Sequence, residues 1–262
     1  MRLSISNIGW PIEQDQKVYS IMRNFGFKGL EIAPTRIFPE QPYSDLNRAR
    51  DWAVELRSID GFSVSSMQSI WYGRQEKIFG DAEERKVLLD YTKSAITFAE
   101  AIGCKNLVFG CPRNRNLPDN VDPSTAISFF KEIGDFAAEH HTVIGMEANT
   151  PIYKTNFINT TEQAIALIKE VDSAGFKLNL DLGTMIYNKE DLSVLEGHAK
   201  LINHVHISEP GLKPIEKRPV HKDLADFLKA NNYQEFISIE MGRQEDLDVI
   251  IGACSYVKEI FG

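Results

Sequence analysis

Thiols are scarce in this chain. Its three cysteines, Cys104, Cys111 and Cys254, are odd in number and show no CxxC spacing. That removes a disulfide framework and a thiolate zinc site, and it fits a reducing cytoplasm. Long apolar runs are also missing: none reaches the roughly 18 residues needed to cross a bilayer. The opening Met1-Arg2-Leu3-Ser4-Ile5-Ser6 reads as the start of a strand rather than as a signal peptide. A cytoplasmic address with no membrane partner is the expectation. Basic excess is absent too, with 29 Lys and Arg against 37 Asp and Glu and a net charge of −8. Such a balance argues against a nucleic-acid partner, which needs a clustered basic surface. No Pro/Gly/Ser-rich linker or low-complexity tract divides the chain, so residues 1–262 read as one domain. That size buries a core without staples.

What is there is alternation. Short apolar runs at 3–6, 29–33, 63–68, 106–110, 143–147, 178–181, 204–208 and 236–240 are rich in Val, Ile, Leu and Phe, as strands covered on both faces should be. Helical periodicity fills the gaps. Val18, Ile21, Met22 and Phe25 mark one stripe, closed by Gly26. Trp52, Ala53 and Leu56 mark another, with Ser44 as its expected N-cap. Asp122-Pro123 opens a third with proline at its first position, and Leu247, Ile250, Ile251 and Cys254 stripe the last. Strand-helix alternation implies a parallel sheet. No G-x-G-x-x-G follows the first strand, which weakens the dinucleotide-binding form. Eight units in this length favour an α/β fold closed as a (β/α)8 TIM barrel.

Side chains two apart on a strand share a face. With Ile144 and Met146 outward, Gly145 and Glu147 face the barrel axis. The same parity turns Asn179 and Asp181, His204, His206 and Ser208, Ser238 and Glu240, and Gly29 and Glu31 inward. Glu147, Asp181 and Glu240 each close their strand, at the end where such barrels build their active sites. A lone strand-end carboxylate is more often a helix cap or an ion-pair partner, and a lone inward histidine more often a core residue. Glu147, Asp181, His206 and Glu240, on four successive strands at one end and one parity, point instead to one divalent metal ion. Converging carboxylates repel one another and lose hydration, and a cation resolves both costs. Three carboxylates and an imidazole suit Mn²⁺, Mg²⁺ or Co²⁺, with Zn²⁺ also compatible.

At these residues the chain resembles the xylose isomerase-like barrel superfamily, a group of sugar isomerases, ketohexose epimerases, inosose dehydratase and family 2 AP endonucleases. The carriers are Gly29-Leu30-Glu31-Ile32, Gly145-Met146-Glu147, Asn179-Leu180-Asp181, His204-Val205-His206-Ile207-Ser208-Glu209 and Ser238-Ile239-Glu240. The resemblance implies that Glu147, Asp181, His206 and Glu240 hold the metal, and that Glu147 and Glu240 also serve as catalytic acid and base. Departures narrow it. The Asn-Arg-x-Glu segment of ketohexose epimerases is replaced by Asn149-Thr150-Pro151-Ile152-Tyr153, and Thr184 stands where those enzymes carry histidine. A free-ketohexose 3-epimerase is disfavoured. No histidine precedes His140, which argues against the trinuclear zinc cluster of the endonucleases.

Candidate substrate contacts are Glu31, Arg113, Arg115, Tyr153, His204, Glu209 and His221. Arg113 and Arg115, in the loop after the fourth strand, could fork onto a phosphate or carboxylate, or simply make surface ion pairs. Arg36 and Lys213 are weaker candidates of that kind. Trp10, Trp71 and Tyr72 could wall a sugar pocket or pack against the barrel rim. The expected function is a metal-dependent sugar or sugar-phosphate isomerase or epimerase working by proton transfer through an enediolate. The alternatives are a metal-dependent sugar-acid or inosose dehydratase and a non-catalytic sugar-binding barrel. The expected partner is a small carbohydrate, phosphorylated or not, and a homo-oligomer is compatible with the sequence.

Overall fold

A computed structural model describes all 262 residues. Eight parallel strands close in sequence order, with the last pairing the first. They are β1 (Arg2–Ser6), β2 (Gly29–Ile32), β3 (Ser63–Met67), β4 (Leu107–Phe109), β5 (Ile144–Met146), β6 (Phe176–Asp181), β7 (Ile202–Ser208) and β8 (Phe236–Glu240). The helices are α1 (Asp15–Asn24), α2 (Pro34–Ile37), α3 (Leu46–Glu55), α4 (Ala82–Ile102), α5 (Ser124–Glu139), α6 (Thr161–Val171), α7 (Leu182–Asn188), α8 (Pro219–Ala230) and α9 (Leu247–Phe261). The (β/α)8 barrel read from the alternation is the fold.

Local chemistry sets the helix ends. Asp81 accepts from the Glu84 amide while the Glu84 carboxylate reaches back to the Asp81 amide, a reciprocal cap. Thr160 and Gln163 do the same for α6. Three local expectations need correction. Asp45, not Ser44, caps α3 by accepting from the Arg48 amide at 3.0 Å, because a carboxylate one residue later reaches the free amides. Pro123 precedes the first helical residue of α5 rather than occupying it, while Asp122 accepts from the Ser124 amide at 2.9 Å. Ile251 is 38% exposed, leaving Ile250, Cys254 and Val257 as the buried stripe of α9.

The hydrophobic core lies between strands and helices. Leu3, Ile5, Leu30, Ile32, Ile144, Met146, Leu178, Leu180, Val205, Ile207, Ile237 and Ile239 point outward into it and are buried. The barrel axis is polar. Ser4 Oγ lies 2.5 Å from Ser65 Oγ, and Asn106 donates to Ser66 Oγ at 2.9 Å and to Asn179 Oδ1 at 3.3 Å. Such barrels more often fill the axis with branched apolar side chains. Here hydroxyls and amides satisfy one another, as buried polar groups must. Gly145 makes room for them: a Cβ there would lie 2.7 Å from Asn106 Oδ1.

Candidate metal centre

At the C-terminal mouth of the barrel, Glu147, Asp181, His206 and Glu240 converge, each offering an atom within 4.8 Å of those of the others. Register sets their heights. Asp181 lies opposite His206 on the β6–β7 pair, and Ser208 lies opposite Glu240 on the β7–β8 pair. His206 Nδ1 is 3.0 Å from Glu147 Oε1 and 3.3 Å from Glu240 Oε2. In the first turn of α7 a Cβ at Gly183 would lie 2.7 Å from Ser208 Oγ, so glycine lets the helix start pass this close to β7.

Asp181 does two jobs. Its Oδ1 accepts from the Thr184 amide at 2.5 Å and so caps α7, while its Oδ2 accepts from Ser208 Oγ at 2.6 Å. The helix-cap and metal-ligand readings of a strand-end aspartate therefore coincide in one side chain, since each carboxylate oxygen has lone pairs to spare. Glu147 accepts from Asn149 Nδ2 at 2.8 Å and from Asn179 Nδ2 at 2.9 Å. These amides aim the carboxylate without neutralising it.

Beneath the cluster sits a second layer. Glu31 Oε2 lies 2.9 Å from both His204 Nε2 and His206 Nε2, and Gln68 Nε2 donates to Glu31 Oε1 at 3.1 Å. Both histidines therefore carry hydrogen on Nε2, assigned from this network. A neutral His206 presents its Nδ1 lone pair to the mouth. A carboxylate behind a ligating imidazole fixes its tautomer and orientation.

Charge crowding shifts the proton affinities of these groups. Burial, joined by the neighbouring Glu147 carboxylate, pushes the Asp181 carboxyl up to about 6. Burial raises Glu240 to about 7, against the opposing pull of His206. Burial disfavours the charged His206 ring, but the Glu31 and Glu240 carboxylates outweigh it and hold its pKa well above the ordinary value. Burial would also raise Glu31, yet His206 and His204 together hold its carboxyl well below the usual range. Three carboxylates around one imidazole leave an excess of negative charge that a divalent cation would offset. The donor set, oxygen-rich with one nitrogen, fits Mn²⁺, Mg²⁺ or Co²⁺.

The other candidate contacts divide. Tyr153 borders the cavity of about 160 Å³ over the cluster, with its hydroxyl accepting from the Gly211 amide at 3.2 Å. Burial and the Asp181 carboxylate raise that phenol to about 12. Arg113 borders a neighbouring cavity. Glu31 and His204 lie below the cluster, so they support it rather than face the mouth. Arg115 is fully buried and donates to the Glu147 carbonyl and Asn149 Oδ1, each at 2.9 Å, and its guanidinium holds the loops after β4 and β5 together. Glu209 is taken by Arg218, whose Nε and Nη2 reach it at 2.8 and 2.7 Å. His221 is buried between α8 and α9, with Nδ1 2.9 Å from the Tyr256 hydroxyl. Arg36 is paired with Asp15 at 2.6 Å. Trp10 and Trp71 are packed, with indole NH groups donating to Asp15 and Thr92. Burial raises the Cys111 thiol to about 12, which fits a structural residue.

Gln68 and Asn149 are the supporting side chains that sequence reasoning missed. Asn179 and Ser208 carried the inward parity that could have singled them out. Gln68 closes the run 63–68 in the sequence, whereas the structure ends β3 at Met67; Asn149 lies past its run, where no periodicity speaks.

Comparison with known proteins bears on the family and the fold. The family model described as "Xylose isomerase-like TIM barrel" matches residues 20–259. An inosose dehydratase from Geobacillus thermodenitrificans is 31% identical over 105 residues, 40% of this chain and only 33% of the length of that relative. Among solved structures, a 3-keto-D-glucoside 4-epimerase from E. coli superposes with a TM-score of 0.77 at 20% identity over 99% of both chains. A D-psicose 3-epimerase from Clostridium cellulolyticum superposes with a TM-score of 0.80 at 12% identity, over 100% of this chain and 99% of the other. At such identities the structural likeness speaks for the fold alone.

Proposed function

The chain belongs to the xylose isomerase-like TIM barrel family, and on that premise we propose that it is a divalent-metal-dependent sugar isomerase or epimerase. The observation that carries the proposal is the pair Glu147 and Glu240, which close β5 and β8 on either side of Asp181 and His206 and border one small cavity. When bound, a divalent cation supplies positive charge beside the carbonyl and hydroxyl oxygens of a sugar.

The protein's own part is proton transfer and positioning. One glutamate removes the proton from the carbon between carbonyl and hydroxyl, and the other returns a proton to the opposite face or the adjacent carbon. The carbanion so formed delocalises as an enediolate, so no oxidant or reductant enters. Asn149 and Asn179 hold Glu147 in position for that role. Val108, Pro112 and Leu212 form the apolar part of the cavity wall.

The test is hydrogen exchange between D₂O and a panel of ketoses, aldoses and keto sugars, using protein supplied with Mn²⁺. Glu147→Gln and Glu240→Gln are each expected to lower exchange by a factor of about 10²–10⁴. Wild-type exchange rates in either variant would refute the acid-base assignment. A second reading, a dehydratase, is favoured by the stretch shared with inosose dehydratase. It uses the same proton removal but expels hydroxide from the neighbouring carbon. A product lighter than its substrate by one water would select it.

A further inference from the structure

The metal cavity does not end at the metal cluster. Its volume is about 160 Å³, below the roughly 300–1,000 Å³ of sites that enclose a whole ligand. Ser69, Cys111 and Pro112 border both it and a second cavity of about 480 Å³ over the loops after β3 and β4. Tyr72, Gly73 and Arg74 in turn border both the second cavity and a third of about 720 Å³ towards the loop after β2. The three cavities adjoin through these shared borders, in a row leading outward from the metal centre. The residues that shape the first saddle are held in unusual backbone conformations, with φ of 55° at Ser69 and 42° at Cys111. Left-handed conformations at non-glycine residues persist where the surrounding structure fixes them, and they gather at ligand sites.

Tyr72 stands in this groove with 71% of its surface exposed. Its backbone is firmly held: its amide donates to the Ser69 carbonyl at 2.9 Å, and the Arg74 amide donates to the Trp71 carbonyl at 2.9 Å. Trp71 beside it is anchored by its 2.8 Å bond to Thr92 and by edge contact with Phe109 at 4.7 Å. The backbone that carries Tyr72 is thus fixed, and its aromatic ring is open to solvent. Around it are groups suited to hydroxyls: Ser69, Gln75 and the exposed Arg113. Arg74 is paired with Glu76, so the groove is not strongly cationic.

We infer that this groove binds a second sugar ring, and that the natural substrate is a glycoside or oligosaccharide rather than a single free sugar. The inference rests on the proposed function for the unit that enters the metal cavity, and adds what lies beyond it. The reacting terminal unit occupies the cavity of Glu147, Asp181 and Glu240. The glycosidic bond crosses the saddle at Ser69 and Cys111, and the second ring stacks its apolar face on Tyr72. Arg113 and Gln75 meet the hydroxyls of that ring.

The test is calorimetric titration of Mn²⁺-supplied protein with reducing disaccharides, such as cellobiose, maltose, lactose and lactulose, each against its own reducing-end monosaccharide. At least one disaccharide is expected to bind about tenfold more tightly than its monosaccharide, and Tyr72→Ala to bring that ratio close to one, as loss of a ring contact implies. Tyr72 is too exposed for its truncation to unfold the barrel. Two results overturn the inference: no disaccharide bound more tightly than its monosaccharide, or a preference that survives Tyr72→Ala. A third does so as well: tighter binding of a monosaccharide phosphate that is lost in Arg113→Ala but kept in Tyr72→Ala, since the groove would then be an anion site. Binding is read without turnover. A disaccharide preference without hydrogen exchange in D₂O therefore leaves the groove standing and removes only the isomerase reading.

Discussion

At the scale of single residues, Glu31 shows how a side chain can matter to a site it never enters. It lies buried on the axis, faces no cavity at the mouth, and places one oxygen 2.9 Å from the Nε2 atoms of two histidines. That contact decides which nitrogen of His206 is free to ligate. Glu31→Gln keeps the size but loses the charge, and it sets an amide among donors from Gln68 and both imidazoles. Metal affinity measured by equilibrium dialysis is expected to fall about 10–100-fold in this variant. Unchanged affinity would mean that packing alone orients His206. Inward parity identified Glu31 from the sequence. Its role was not legible there, because parity says which way a side chain points but not what stands opposite it across the barrel.

At the scale of elements, β6 runs into α7 through Asp181 without an intervening loop residue. The carboxylate that joins the metal set also caps the helix, so substitutions separate the two roles. Asp181→Asn keeps an acceptor for the Thr184 amide and removes a charge that burial makes costly. Metal-free Asp181→Asn at pH 8 is expected to be at least as stable as the parent in urea, while failing to hold metal tightly. Asp181→Ala is expected to be less stable than the asparagine variant by about 1 kcal/mol, the ordinary worth of an N-cap. Equal stability of the two variants would show that the cap contributes nothing here. In α6, Thr160→Ala is likewise expected to cost about 1 kcal/mol with metal affinity intact, since the reciprocal cap with Gln163 lies away from the cluster.

At the scale of the whole molecule, closure of eight strands gathers like charges that would otherwise stay apart. Asp181 and Glu240 are raised to about 6 and about 7, above the ordinary carboxylate values of about 3.9 and 4.3. A raised carboxyl contributes stability below its unfolded pKa and loses it as pH climbs through the folded value. The metal-free protein therefore loses this contribution between about pH 4 and pH 7. A cation competes with those same protons and binds the deprotonated set. The increase in Tm on adding Mn²⁺ is expected to be larger at pH 8 than at pH 5.5, with protons released on binding near pH 6. An increase independent of pH over that range would place the metal elsewhere.

The eight-fold alternation, the α/β architecture and the inward set at the strand ends are legible in the residues alone, because they follow from local periodicities of two and 3.6 residues. Which inward polar residues meet depends on the closed barrel. Height along the axis depends on stagger between strands, and that stagger shifts at Leu30/Glu31 against β3 and at Leu178/Asn179 against β7. So Glu31 falls beneath His206, while Glu147 and Glu240 rise to the mouth. The long side chains were decided later still. Arg115 and Glu209 follow paths set by the nearest unpaired groups, a pair of loops for one and Arg218 for the other. No periodicity encodes those partners, because they are brought close only when the barrel shuts.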